Sequence, residues 1–159
     1  MSKKQNLYVG RSGQMAVMSE FLLRGWNVAL PEVDVGDDVF VVHDVKGDFF
    51  RIQVKTAVGR AQKSGYYAQF SVGQKQLLEP RPPELFFIFV TRIENRWDAF
   101  VILNQDDLRR EHELHKVGSL NENGYIIFRF TFQNGKVIAG KRDLSTHLGD
   151  WTKWPEILH

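Results

Sequence analysis

The sequence predicts an α/β protein: a helix followed by a central mixed sheet flanked by helices. An amphipathic helical pattern over residues 12–24, closed by Gly25, precedes a series of short apolar segments with period-two alternation. The apolar run at 85–91 is unbroken, as expected of a central strand buried on both faces. At 159 residues and 43% apolar composition, one domain over 1–159 is expected to bury roughly two-thirds of its unfolded surface. Its core spans about 10–103, and a C-terminal strand and tail extend it over 104–159.

In order, Gly10-Arg11-Ser12-Gly13 precedes the first helix, with Ser12 as N-cap and Met15, Met18, Phe21 and Leu22 at helical spacing. Residues 26–30 read as a strand ended by Pro31, and 38–43, 49–56 and 66–72 as three more, with a hairpin turn at 44–48. Between the last two lies 58–65, whose Gly59, Gly65, Arg60 and Lys63 describe a flexible basic loop able to move onto a ligand. A short helix at 73–78 ends before Pro80, Pro82 and Pro83, and the central strand follows. Residues 97–103 pair next to it, Gln105-Asp106-Asp107 opens a charged helix reaching about 114, and 125–132 alternates before the turn Gln133-Asn134-Gly135-Lys136. Trp151 and Trp154 either cover the sheet of their own chain or form a dimer contact.

Several functions are excluded or disfavoured. With no cysteine there is neither a disulfide framework nor a thiolate nucleophile or zinc ligand, so any metal must be held by oxygen or imidazole. No apolar run approaches the ~20 residues of a membrane span, and the polar start Ser2-Lys3-Lys4-Gln5-Asn6 predicts a cytoplasmic protein without membrane partners. His112 and His115 lie three apart on the charged helix, but no third ligand is spaced for zinc, and a solvated face accounts for them. Gly10-Arg11-Ser12-Gly13 at a helix start could hold an anion, yet it lacks the lysine of a phosphate-binding loop.

The net charge of +2 is small, but its distribution is uneven. Residues 31–50 carry Glu32, Asp34, Asp37, Asp38, Asp44 and Asp48 against Lys46 alone, whereas 56–82 carry Arg60, Lys63, Lys75 and Arg81 against Glu79. At the junction, the strand after Asp37-Asp38 is followed by one that ends Gln53-Val54-Lys55. Strand alternation turns Gln53 and Lys55 to one face and Ile52 and Val54 to the other. A lysine in that setting requires an anionic partner, whether a carboxylate or a phosphate, although Asp38 equally suits a strand cap and Lys55 a strand end facing water.

An aspartate directly before an apolar strand, followed by a strand ending in acid-x-lysine, resembles the PD-(D/E)XK nuclease superfamily over residues 10–72. That superfamily includes archaeal Holliday-junction resolvases, many restriction enzymes and a homing endonuclease group. The resemblance implies a restriction-endonuclease-like core and a metal-dependent endonuclease that cleaves phosphodiester bonds in DNA. It makes Asp38 the bridging ligand of Mg²⁺ or Mn²⁺, Lys55 the catalytic cation, Gln53 a ligand through its amide oxygen and the Val54 carbonyl another. Two positions depart from the pattern: Gln53 replaces the acid, and Gln14 stands where the helix glutamate falls. Glu20, about 240° around the helix from Gln14, Glu32, Asp34 and Asp37 are reserve ligands. Arg60, Lys63, Tyr66, Tyr67 and Lys75 are the expected nucleic-acid contacts, with the two tyrosines on opposite faces so that one at most reaches a ligand. Cleavage of both strands of a duplex implies a homodimer. The alternative is a nuclease-fold protein without activity that binds nucleic acid or a protein partner.

Overall fold

The computed structural model describes residues 2–33, 36–80 and 82–158. Helix α1 (Lys3–Leu23) starts nine residues before the expected cap. Ser2 caps it, its Oγ accepting from Gln5 N–H while the Gln5 side chain accepts the Ser2 N–H, a reciprocal box that satisfies two end donors. Ser12 is therefore inside the helix, its Oγ donating to Val9 O. The amides of Gly10 to Gly13 are used by the helix, which removes the anion site considered for them. The buried stripe runs through Val9, Gly13, Val17 and Phe21 at four-residue spacing. Met15 and Leu22, which lie on the apolar helical spacing, are exposed, because the glycine in the middle of the true stripe conceals it.

Strands β1 (Asn27–Ala29), β2 (Val39–Val42), β3 (Phe49–Val58), β6 (Leu85–Ile93) and β7 (Arg96–Asn104) form a mixed sheet in the order β1-β2-β3-β6-β7. Only β3 and β6 run parallel, with Gln53 opposite Phe87 and Lys55 opposite Phe89. As expected, β6 is inside the sheet and buried on both faces.

A second, antiparallel sheet is the feature that alternation alone does not reveal. It contains β4 (Arg60–Ala61), β5 (Tyr66–Gly73), β8 (Ser119–Leu120), β9 (Tyr125–Gln133), β10 (Lys136–Ala139) and β11 (Arg142–Asp143). Strand β9 pairs with β5 along its whole length, so residues from 104–159 are woven into the layer that covers the mixed sheet. The basic loop at 58–65 is shorter than expected: β3 runs to Val58, and Arg60 and Ala61 pair with Tyr67 and Tyr66.

Two cores therefore share the mixed sheet. On one face Val17 and Phe21 of α1 meet Val39, Val41, Ile52, Val54, Phe86, Ile88 and Val90. The other face packs Phe87, Phe89, Val101 and Leu103 against Phe70, Phe128 and Phe130 of the second sheet. The C-terminal tail closes the first core over its own chain: Trp154 is fully buried against Phe21, Phe50 and Phe86. Trp26 Nε1 donates to Pro155 O at 2.8 Å, and Ile157 N–H to Arg24 O at 2.9 Å. Helices α2 (Gln74–Leu78) and α3 (Gln105–Glu113) follow β5 and β7 and stand at one end of the interface between the sheets. No helix among the described residues is long and apolar enough to cross a membrane.

Candidate functional site

Because Ile52 and Val54 enter the helix-side core, alternation sends Gln53 and Lys55 to the face of the second sheet, where Ala57 joins the other core. Before that apolar core begins, Arg51, Gln53 and Lys55 line a cleft of about 400 Å³ together with Gly36, Lys75, Gln76 and Gln105. Lys55 also borders a second groove of about 550 Å³, formed with Arg60, Tyr67, Gln69 and Ser71, whose lining contains no acid.

Asp38 sits where β2 begins. Its N–H donates to Ile52 O at 2.9 Å, extending the ladder by one bond. Its Oδ2 accepts the Val54 N–H at 2.7 Å and the Gln53 side-chain amide. The aspartate thus caps the strand start, with its carboxylate held against the Gln53 amide that lines the cleft. Gln14 reaches the same point from α1, donating Nε2 to the Asp38 carbonyl at 2.5 Å while its Oε1 accepts from Arg11 at 2.5 Å. This approach depends on Gly13, since a Cβ there would overlap Thr56 Oγ1 on β3.

Two further glutamines complete the array. Gln76 Nε2 donates to Gln53 Oε1 at 2.5 Å and to Gly36 O at 2.6 Å. Gln105 Nε2 in turn donates to the carbonyls of Gln76, at 2.7 Å, and Leu77, at 3.2 Å, fixing the end of α2. Neither was legible in the sequence, because a glutamine on a short polar helix carries no pattern and these contacts span 23 and 29 residues.

The structure thus groups Asp38 with Gln53, Val54 and Gln14, sets Lys55 on the same cleft as Gln53, and leaves Glu20, Glu32 and Asp37 out of the group. The Glu20 carboxylate pairs with Arg24 at 2.7 Å, one turn along α1, and Glu32 is exposed beyond β1. Both Asp37 oxygens accept from Arg51, at 2.8 and 3.0 Å, in a largely buried pair. Asp34 and Arg81 lie outside the described residues.

Among the expected nucleic-acid contacts, Tyr66 and Tyr67 do face opposite ways. Tyr66 stacks on Phe132 and donates its hydroxyl to Asp98 at 2.5 Å, away from both the cleft and the groove. Burial, and then the Asp98 carboxylate, push its phenol well above the usual range. Tyr67 lines the groove, with the Arg129 guanidinium 3.8 Å above its ring. Arg60 lines the same groove, Lys75 the cleft, and Lys63 is exposed in the turn between β4 and β5.

Among the described residues no three histidine, cysteine or acidic side chains converge as a metal group. His112 Nδ1 instead meets Val117 O at 2.9 Å. The candidate oxygens around Gln53 are the Asp38 carboxylate, the Val54 carbonyl and the amide oxygens of Gln53 and Gln14, the last two of which accept from Gln76 and Arg11. An all-oxygen set with a single carboxylate fits Mg²⁺ or Mn²⁺ in kind, and would hold either more weakly than a set with two or three carboxylates.

No family model and no curated protein matches the chain. Among solved structures it is similar to a bacterial homing endonuclease, with a TM-score of 0.56 and 18% identity over 96% of this chain and 91% of that one. The chain has a nuclease-like fold, a mixed sheet with helices.

Proposed function

We propose that the protein is a metal-dependent endonuclease of PD-(D/E)XK type acting on DNA. The observation that carries this reading is that Gln53, hydrogen-bonded to Asp38, and Lys55 line one cleft beside an acid-free groove, in a fold shared with a homing endonuclease. Asp38, Gln53 and the Val54 carbonyl would hold Mg²⁺ or Mn²⁺. When bound, the ion would lower the pKa of a coordinated water and neutralise charge on the leaving oxygen. Lys55 stands at the junction of cleft and groove, where its ammonium would face the scissile phosphate and stabilise the charge that builds up during attack. Arg60 and Tyr67, with Arg129 behind the ring, would hold the strand by charge and stacking, which does not depend on base identity. Lys63 and Lys75 would add phosphate contacts from the two rims.

Nicking of supercoiled plasmid in Mg²⁺ or Mn²⁺ tests the proposal. Activity is expected in the wild type, is abolished by chelator, and is lost in Asp38→Ala and Lys55→Ala. Cutting that survives both substitutions overturns it.

One observation favours a second reading, a nuclease-fold protein that binds nucleic acid without cutting it. Gln53 directs its N–H₂, not its oxygen, at the single carboxylate. That reading expects salt-sensitive DNA binding through the groove, with no nicking and no heat on addition of the ion.

A further inference from the structure

Gln76 and the Asp38 carboxylate, which itself only accepts, together set which end of the Gln53 amide faces Asp38. A side-chain amide has one end that donates and one that accepts, and neighbours decide between them. At Gln76 the decision is made by the backbone. The Gly36 carbonyl can only accept, so the Gln76 end that meets it, at 2.6 Å, must be the N–H₂. The same nitrogen lies 2.5 Å from Gln53, so Gln53 must turn its oxygen to Gln76 and its own N–H₂ to Asp38 Oδ2. Gln105 holds the supporting turn in place through the Gln76 and Leu77 carbonyls. The chain of polarity runs from Gly36 through Gln76 and Gln53 to the carboxylate.

That order opposes the role an acid would have at position 53. As set, Gln53 is a donor to the carboxylate, and its oxygen is committed elsewhere. Turning it over would place two N–H₂ groups face to face, and turning Gln76 as well would set its oxygen against the Gly36 carbonyl.

We infer that Gln76 is a positioning residue that locks the Gln53 amide in its donor orientation, so that a divalent ion gains the Gln53 oxygen only by breaking the Gln76–Gln53 hydrogen bond. The inference rests on the nuclease reading above and concerns how strongly that site takes its ion. It has a counterintuitive sign: removing a side chain from the site should tighten ion binding, whereas a support role would loosen it.

Calorimetric titration with Mn²⁺ of the full chain, with no DNA present, distinguishes the two. Gln76→Met keeps length and removes the donor, and is expected to bind Mn²⁺ roughly fivefold more tightly than wild type, the scale of one neutral hydrogen bond. Gln76→Glu reverses the polarity by accepting from Gln53, and is expected to gain tenfold or more, with charge contributing. The Gln53 side-chain amide resonance, followed by NMR with Mg²⁺, is expected to move at lower ion concentration in Gln76→Met than in wild type. That resonance reports the orientation directly and identifies a variant that has failed to fold. Gln53→Glu provides the reference, because it restores an acid next to Asp38 and is expected to bind most tightly. If Gln53→Glu binds while Gln76→Met equals or falls below wild type, the lock is wrong and the metal site stands. If no variant binds, Gln53→Glu included, the metal reading fails and the lock fails with it.

Discussion

Strand β3 has two faces with opposite chemistry. Phe50, Ile52 and Val54 pack into a closed apolar core under α1 and Trp154. Arg51, Gln53 and Lys55, interleaved with them one by one, line an open cleft in which Arg51 and Gln53 are hydrogen-bonded to specific partners. The first face is held by area and shape, so a change there is felt in proportion to the volume removed. The second is held by direction, by which amide end meets which oxygen, and changes there alter chemistry more than folding. The two faces meet at Gly13, where the core helix comes close enough to Thr56 for Gln14 to reach the Asp38 carbonyl.

The largest expected effect is on the apolar face. Trp154→Ala removes the fully buried ring that touches Phe21, Phe50 and Phe86, and is expected to cost ~3–5 kcal/mol in urea unfolding. Next is the joint between the faces. Gly13→Ala forces α1 away from Thr56 and is expected to cost ~1–3 kcal/mol by overpacking. It should also break the Gln14 contact and reduce any ion affinity at Asp38, read by the same unfolding curve and by Mn²⁺ titration.

A smaller effect is expected at the support of the cleft. Helix α3, which carries Gln105, is tied to β11 by Arg142, whose guanidinium donates to both Glu111 oxygens at 2.8 and 2.9 Å. This hydrogen-bonded guanidinium lowers the Glu111 carboxyl below its ordinary value. A depressed folded-state value means the stabilisation is fully present above the unfolded pKa of ~4.3 and is lost as pH falls through the folded value. Arg142→Met is therefore expected to lower stability at pH 7, with the difference from wild type closing as pH falls through the folded-state value of Glu111. A difference independent of pH would assign the loss to packing instead. The smallest effect belongs to the groove. Arg60→Ala is expected to reduce the slope of log affinity against log salt for DNA by about one, leaving stability unchanged.

The contrast between the faces also explains what the sequence could reveal. The apolar face writes itself in period and run length, so β2, β3, β6 and β7 were legible to within one to two residues. The places of Asp38, just before β2, and of Lys55, within β3 and on the face opposite Val54, were legible from the strand pattern. Their setting was not. The start of α1 was missed although Ser2-Lys3-Lys4-Gln5 carries the spacing of a capping box, because two glycines inside the helix suggested a loop. The second sheet was missed because β5 and β9 are more than fifty residues apart and pair by long-range register. Gln76 and Gln105 were missed because their meaning lies in the polarity of a backbone carbonyl and of one another. A polar site built from neutral amides leaves no charge pattern to read.

The central claim is that the polar face of β3 cuts phosphodiester bonds. Its most direct test is the rate of plasmid nicking in Mn²⁺ by wild type and by Lys55→Ala, both shown to be folded. The account predicts nicking by the wild type that stops with chelator, and none above background from Lys55→Ala. Equal nicking by the two proteins, or none by the wild type while it binds the plasmid, would contradict it.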